Sequence, residues 1–441
     1  MSNQSLQLAF VADDFTGSTD ALEQLSLAGL RTALFTAFPS PAQLLASGPL
    51  DAIGIATHAR SLDPGTMDAQ LRPLFTALRR LAPRHVHYKV CSTFDSSPTV
   101  GSIGRAMEIG HEVFGGRFVP IVVGAPRLGR YCAFGHLFAR VGIGSDGPIH
   151  RLDRHPVMSR HPITPAYDAD LRDHLARQTE RRVALLNFLA LDRSREETLA
   201  ALENLLRDRP DAVLCDALTD SHLARVGELL QREAAHGAPL FSVGSSAIEM
   251  ALASTLAGAP ATPVWPTPRV APLVLALSGS VSSVTSRQIA WAEAHGFTVC
   301  TVDLSAALRG EITATVIDDV CAQFAAGRSV VLTTSRGEID PTLAALPPTA
   351  RGRLGTVLGL AARAILARVP VARLLVSGGD SSSYAATALG VEALTMLAPL
   401  TAGAPLCRIR APGSPLDGRE IVFKGGQVGA EDFFGRVARG S

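Results

Sequence analysis

Two adjacent carboxylates, Asp13 and Asp14, follow the apolar run Leu8-Ala-Phe-Val-Ala12 and precede Phe15-Thr-Gly-Ser-Thr-Asp20. Carboxylates at the end of a buried strand cost free energy unless they hold something. A helix start does not need both. Thr16 is placed to cap it by accepting from the Ser18 or Thr19 amide, with Asp20 in the first turn favoured by the helix dipole. The pair therefore reads as a site: one carboxylate orients or deprotonates a hydroxyl nucleophile, its neighbour fixes a sugar hydroxyl, and Gly17 leaves room for a substrate. A second group is Tyr88-Lys-Val-Cys-Ser-Thr-Phe-Asp-Ser-Ser97. Lys89 ends a strand-like run, and Ser92, Thr93, Asp95 and Ser96 follow in a polar turn, a combination that suits a carboxylate or phosphate. Cys91 has no base beside it in sequence and is not expected to be a catalytic thiolate. A third group, residues 151–168, sets Arg151, Arg154, His155, Arg160 and His161 among three prolines. Its basic, irregular character fits an acidic small molecule, and the His155–His161 spacing is a poor zinc signature.

The C-terminal half repeats one grammar three times. Leu273–Leu277 runs into Ser278-Gly-Ser-Val-Ser-Ser283, Arg373–Val376 into Ser377-Gly-Gly-Asp-Ser-Ser-Ser383, and Ile421–Phe423 into Lys424-Gly-Gly-Gln-Val-Gly429. Glycine lets the backbone approach a ligand, serine offers hydroxyls, and a helix N-terminus offers free N–H groups, which together suit phosphate oxygens. No G-x-x-x-x-G-K-[ST] loop occurs. G-x-G-x-x-G matches once, at Gly142–Gly147, but Pro148 follows where the dinucleotide fingerprint needs a helix, so it reads as a chance match.

Of the 41 basic residues only two are lysines, Lys89 and Lys424, and both fall in these turns. A net charge of +1 without long like-charge runs argues against nucleic-acid binding. The six cysteines form no CxxC pair and read as reduced thiols of a cytoplasmic protein. The N-terminus lacks the basic region of a secretory signal, and no apolar stretch is long enough for a membrane span.

What must position these groups is an α/β architecture in two domains. Hydrophobic residues are 47% of the chain and charged residues 18%, enough for large cores. Strand-like runs at 8–12, 32–36, 52–56, 86–90, 119–123, 183–186, 212–215 and 240–243 alternate with helical patterns, among them 16–28, 170–178, 194–208 and 245–256. The second half alternates likewise: strands at 273–277, 298–302, 330–333 and 373–376, helices at 284–295, 313–326, 355–368 and from Ser382. Such alternation implies mostly parallel sheets with helices on both faces and ligands where strands end. Five prolines between Pro260 and Pro272 mark a linker at 258–272, leaving domains at 1–257 and 273–441.

Taken in order, Ala12-Asp-Asp-Phe-Thr-Gly-Ser-Thr-Asp20, Lys89-Val-Cys-Ser-Thr-Phe-Asp-Ser96, His161-Pro-Ile-Thr-Pro165, Gly244-Ser-Ser-Ala247, Ser278-Gly-Ser280, Ser377-Gly-Gly-Asp-Ser381 and Lys424-Gly-Gly-Gln-Val-Gly429 resemble the four-carbon acid sugar kinases, which include YgbK-like proteins. The resemblance covers nearly the whole chain. It implies an acid-sugar domain followed by an ATP domain, with an active site in the cleft between them. It further implies phosphorylation of the terminal hydroxyl of threonate, erythronate or 3-oxo-tetronate, with 3-oxo-isoapionate as the branched alternative. Carried over by position, Asp13, Asp14, Thr16, Gly17, Asp20, Lys89, Ser92 and Thr93 line the sugar site. Ser278, Ser280, Gly378, Gly379, Asp380, Ser381, Gly425, Gly426 and Gly429 line the nucleotide site. On this reading Asp14, with Asp13 second, orients the attacking hydroxyl, and Lys89 with Arg160 holds the substrate carboxylate. Lys424 steadies the phosphates, and Asp380 is the candidate ligand for Mg2+. The chain departs from the commoner family pattern at Lys424-Gly-Gly-Gln-Val-Gly, where Lys-Ser-Gly-Asn-Phe-Gly is usual, and at Ser381, where threonine is commoner. The first departure bears on substrate identity. The competing classes are an acid-sugar sensor and a nucleotide-dependent enzyme other than a kinase. Partners are the acid sugar and ATP, and homo-oligomerisation is compatible with the resemblance.

Overall fold

The computed structural model describes the chain apart from residues 1–5, 145, 162, 237–238, 254, 257–262, 281, 336–345 and 347, and gives no side chains for 348, 349, 351 and 379–381. Its strands, in chain order, are β1 (Leu8–Ala12), β2 (Thr32–Phe35), β3 (Ala52–Ala56), β4 (His85–Lys89), β5 (Val119–Val122), β6 (Arg130–Ala133), β7 (His136–Arg140), β8 (Ile149–Arg151), β9 (Val183–Leu186), β10 (Ala212–Cys215), β11 (Leu240–Gly244), β12 (Val274–Ser278), β13 (Thr298–Thr301), β14 (Val330–Thr333), β15 (Arg373–Ser377), β16 (Ala393–Thr401), β17 (Ala404–Arg410) and β18 (Glu420–Lys424). The chain divides into two compact units. One comprises Met1–Ala33, Phe38–Val141 and Asp146–Pro263, the other Leu34–Ala37, Gly142–Ser145 and Val264–Ser441.

In the first unit the strand order is β2-β3-β1-β4-β11-β5-β10-β9. The pairings from β3 to β9 are all parallel. Every residue of β1 is buried, as a strand covered by helices on both faces requires. Close packing is bought with glycine: a Cβ on Gly54 would stand 2.0 Å from the Phe10 ring, and one on Gly110 2.0 Å from that of Phe241. Phe75 meets Tyr88, Phe114 and Phe241 in one aromatic cluster. A separate antiparallel sheet, β6-β7-β8, carries the chain into the basic segment after Arg151.

The second unit has the order β13-β14-β12-β15-β18-β17-β16. It is parallel from β13 to β18 and antiparallel through β17 and β16. Its core gathers Val274, Ala276, Val331, Leu375 and Val422 from the strands with Ile289, Phe433, Phe434 and Val437 from helices. Arg373, buried at the start of β15, is fully engaged: it pairs with Glu420 and donates to the carbonyls of Val437 and Arg269 at 2.6 and 2.7 Å. That places it in the framework.

Strand order decides where ligands can lie. In the first unit the chain leaves β1 for β2 and β3 on one side, then returns to β4 on the other. In the second it leaves β12 for β13 and β14, then returns to β15 on the opposite side. Loops following the two central strands of such a reversal diverge and open a crevice beyond their C-terminal ends. Asp13 follows β1 directly and Lys89 ends β4, while Ser278 and Ser377 end β12 and β15. Among the described residues no helix is long and apolar enough to cross a membrane.

Candidate functional site

In the first unit, register brings the reactive groups to one level. Ala12 is paired with Ala56 and Lys89, and Lys89 with Gly244, so four parallel strands end side by side. The helix after β1, Phe15–Leu27, begins differently from the sequence expectation: Asp14, not Thr16, is its N-cap, and its side chain accepts from the Gly17 amide at 2.7 Å. Thr16 donates its hydroxyl to the other Asp14 oxygen at 2.8 Å. An aspartate with extended backbone satisfies an orphan amide and supplies charge to the dipole, which a threonine does not. Gly17 also differs from expectation. A Cβ there would stand 2.4 Å from Asp14 Oδ1 and 3.2 Å from Lys89 Nζ, so the glycine makes room for the cap and the lysine.

Arg60, in the short turn Ala59–Ser61, was not singled out by the sequence, yet it joins the two carboxylates. Its guanidinium stands 3.4 Å from Asp13 Oδ1 and 3.0 Å from Asp14 Oδ2. Arginine is so abundant in this chain that composition cannot mark one; the usable signal was the need of two buried carboxylates for a counter-charge. Asp14 thus has both oxygens engaged, whereas the Asp13 carboxylate, among the described residues, has only the long contact to Arg60. Burial pushes the Asp13 carboxyl up to about 7, with Arg60 pulling the other way.

Lys89 is buried, 3.3 Å from Asp20 Oδ2 and donating to the Val90 carbonyl at 3.2 Å. Burial raises the pKa of Asp20, with Lys89 and the nearby Ser246 hydroxyl opposing it. Ser92 and Thr93 are buried in the turn after β4, where Thr93 Oγ1 meets Cys91 Sγ at 3.0 Å. Burial lifts the Cys91 thiol to about 11, so it stays protonated. A small hollow beside this turn is lined in part by Thr93, Asp95, Ser96, Thr164 and His174. Asp95 Oδ1 is buried there without a hydrogen-bond partner among the described residues.

The basic segment is less concentrated than its sequence. Arg151 pairs with Asp153, and the His155 ring accepts from the Val157 and Met158 amides as a local brace. Arg160 is exposed at the end of the turn Met158–Arg160, and its side chain makes no bond to the described residues. The G-x-G-x-x-G match falls in the turn between β7 and β8, with strand rather than helix after it, and its Ser145 lies outside the described residues.

In the second unit Thr333, Ser278, Ser377 and Lys424 stand side by side at the ends of β14, β12, β15 and β18. Lys424 is fully buried and its ammonium donates to Thr285 Oγ1 at 3.0 Å, Ser377 Oγ at 3.1 Å and the Gly425 carbonyl at 3.0 Å. Burial brings its pKa down to about 7. Thr285 is another residue the sequence did not single out. The three small-residue turns converge on Ser280. A Cβ on Gly426 would stand 3.0 Å from its hydroxyl, and one on Gly378 3.4 Å from its amide nitrogen. Gly378, at φ +121°, precedes the helix Gly379–Leu389, whose N-terminus has no side-chain cap. Gly425 and Gly429 flank Val428, with Gly429 at φ +89°. Among the described residues Ser278 Oγ and Ser382 Oγ are buried without partners. Open amides, unpaired hydroxyls and a cradle that any side chain would fill are a donor set for phosphate oxygens. The side chains of Asp380 and Ser381, like Val281, lie outside the described residues. Among the described residues no group of three His, Cys, Asp or Glu side chains is placed to hold a metal ion.

Comparison with known proteins matches this division. Residues 8–252 match a family model described as a sugar-binding N-terminal domain, and residues 275–434 one described as a nucleotide-binding C-terminal domain. The chain belongs to the four-carbon acid sugar kinase family. A 3-oxo-isoapionate kinase from Paraburkholderia graminis is 41% identical over 99% of this chain and 94% of its own length. A 3-oxo-tetronate kinase from Methylobacterium radiotolerans is 32% identical over 98% of this chain and 99% of its own. The fold is that of a solved Salmonella typhimurium protein, with a TM-score of 0.75 at 24% identity over 97% of this chain and 98% of the other. A Haemophilus influenzae protein gives 0.69 at 21% identity over the same shares. As a member of this family the chain is an acid sugar kinase, a phosphotransferase with an alcohol acceptor.

Proposed function

We propose that this kinase uses ATP to phosphorylate the terminal hydroxyl of 3-oxo-isoapionate, with 3-oxo-tetronate as the second substrate. The sequence reading set the straight-chain acids first; the 41% identity to the 3-oxo-isoapionate kinase, against 32% to the 3-oxo-tetronate kinase, favours the branched acid. Residues 1–257 hold the sugar and residues 273–441 the nucleotide, in the cytoplasm. The observation that carries this assignment is the presence of a switch point in each unit, one ringed by paired charges and the other by hydroxyls and glycines.

Asp13 is the base. The sugar hydroxyl attacks the γ-phosphorus, its proton passes to the free Asp13 oxygen, the new O–P bond forms and the bond from the γ-phosphorus to the bridging oxygen breaks. Asp14, which was placed first in the sequence reading, holds Arg60 and the helix start in position instead. Lys89 and Arg60 receive the substrate carboxylate, with Thr16, Asp20, Ser92 and Thr93 around its hydroxyls. Arg160, unpaired at the surface, serves as an outer contact.

At the nucleotide end, Ser278, Ser280, Gly378, Gly379, Ser381, Gly425, Gly426 and Gly429 form the phosphate cradle. Lys424 holds Ser377, Thr285 and the Gly425 turn in register, its donors being directed inward. A hydroxyl and amide cradle with few carboxylates fits Mg2+ that arrives on the nucleotide, with Asp380 as its one protein ligand. Bound there, Mg2+ supplies neutralisation of charge on the β- and γ-phosphates.

The test is ADP release across 3-oxo-isoapionate, 3-oxo-tetronate, threonate and erythronate. We expect the highest kcat/KM on 3-oxo-isoapionate, rising with pH through about 7 as Asp13 loses its proton. A preference for threonate or erythronate, or a flat profile, would remove the substrate or the base from this scheme.

A further inference from the structure

Strand β4 is central and buried on both faces, a setting in which aliphatic residues are the rule. Its sequence is His85-Val-His-Tyr-Lys89, and alternation puts His85, His87 and Lys89 on one face. Protonatable groups in such a layer cost free energy unless each has a partner. Lys89 has Asp20. His87 has two partners: Nδ1 is 2.6 Å from Glu249 Oε1, and Nε2 is 3.1 Å from the Gly244 carbonyl oxygen. A carbonyl oxygen only accepts, so Nε2 carries hydrogen, and the 2.6 Å contact requires one further proton between Nδ1 and the carboxylate.

Neither the His87 nor the Glu249 side chain has any exposed surface. Glu249 sits on the helix Ala247–Ala253, and Gly244 is the register partner of Lys89. The pair therefore fastens that helix to the strand end where Lys89 emerges. Among the described residues Glu249 Oε2 and Asp20 Oδ1 are buried without a hydrogen-bond partner, so this layer holds more acceptor capacity than its own packing uses. Burial works against the Lys89 ammonium; Asp20 first, Glu249 next and Asp14 after it act in its favour.

We infer that Glu249 and His87 are positioning residues for Lys89: a buried pair that never touches the acid sugar yet fixes the ammonium beneath Gly17 where the sugar carboxylate is received. This rests on the reading of Lys89 as a sugar ligand. With Glu249 held by His87, the acidic groups beside Lys89 come from two helices, Asp20 from Phe15–Leu27 and Glu249 from Ala247–Ala253, so the ammonium is held between them and not drawn wholly onto Asp20.

The experiment is a double-mutant cycle of Glu249→Gln and Lys89→Met in the full-length enzyme. Glu249→Gln should raise KM for the acid sugar roughly tenfold and leave KM for ATP unchanged. In the Lys89→Met background it should add nothing further. Equal effects on both KM values, or additivity with Lys89→Met, would mean that the pair merely stabilises the fold and would overturn the inference. Should Glu249→Gln fail to fold, wild-type protein labelled with 15N at histidine gives the second reading. A strongly downfield ring proton should be present and move on adding acid sugar but not ATP; its absence or indifference would equally overturn the inference. Failure of the functional reading looks different, as no turnover by wild-type enzyme on any acid sugar.

Discussion

Asp14 uses one oxygen to cap the helix Phe15–Leu27 and the other to receive Thr16 and Arg60, while the Asp13 carboxylate meets Arg60 at longer range. Neighbours in sequence thus have separate tasks, one holding geometry and the other left free to take a proton. The cost appears in stability. Burial holds the Asp13 pKa at about 7 in the folded chain, well above the ordinary aspartate value of 3.8, so between those values the folded chain keeps a proton that the unfolded chain has released. That contribution favours folding at low pH and disappears as pH rises through 7. Asp13→Asn lacks it at every pH. We therefore expect the stability difference to move in favour of Asp13→Asn by on the order of 2–4 kcal/mol between about pH 4 and about pH 8, while the variant loses turnover. Urea denaturation of both proteins across that range measures it. A gap that stays constant with pH would show that Asp13 titrates at an ordinary aspartate value.

At the scale of elements, the turn-forming glycines explain both what was legible in the sequence and what was not. The expected strand ranges 8–12, 52–56, 212–215 and 330–333 are those of β1, β3, β10 and β14, because strands buried on both faces write continuous apolar runs, and 183–186 is that of β9, a half-buried edge strand that is apolar as well. The antiparallel strands β16 and β17 were not identified: β16 contains Pro399 and two alanines, Ala393 and Ala398, of low strand preference, so its pattern is broken. The sheet β6-β7-β8 went unread because its strands are short, each carries an arginine, and only the turn at Phe134-Gly135 separates β6 from β7. At the candidate site the carboxylates, Lys89 and the glycine turns were legible as residue types. Arg60, Thr285 and the His87–Glu249 pair depend on register and helix docking that no local pattern encodes. Gly378 tests the element view. Its φ of +121° is open to glycine and strained for any other residue, and the helix it introduces has no side-chain cap. Gly378→Ala should raise KM for ATP at least tenfold with KM for the acid sugar nearly unchanged, since strain and crowding of Ser280 fall on one turn. Steady-state kinetics with each substrate varied in turn would check this, and a matched rise in both KM values would place Gly378 outside the nucleotide cradle.

For the molecule as a whole, the two units carry unlike chemistry on the same topological device. Each has its own core and its own reversal of strand order, so each ligand should be sensed by the unit that binds it. A ligand that binds only the folded state stabilises the elements it contacts, by about 2.7 kcal/mol at a hundred times its Kd. Hydrogen exchange resolves where that stabilisation falls. A non-hydrolysable ATP analogue should slow exchange in the turns 278–283, 377–382 and 424–429. The acid sugar alone should slow it in 13–20, 57–61 and 89–96. The reasoning does not depend on catalysis, because protection follows binding free energy and local opening rather than turnover. Protection by the nucleotide confined to the turns after β1 and β4, or by the sugar confined to those after β12 and β15, would reverse the assignment of substrates to units. Paired charges around Asp13 would then have to be reread as a phosphate site, which two adjacent carboxylates would make electrostatically unfavourable.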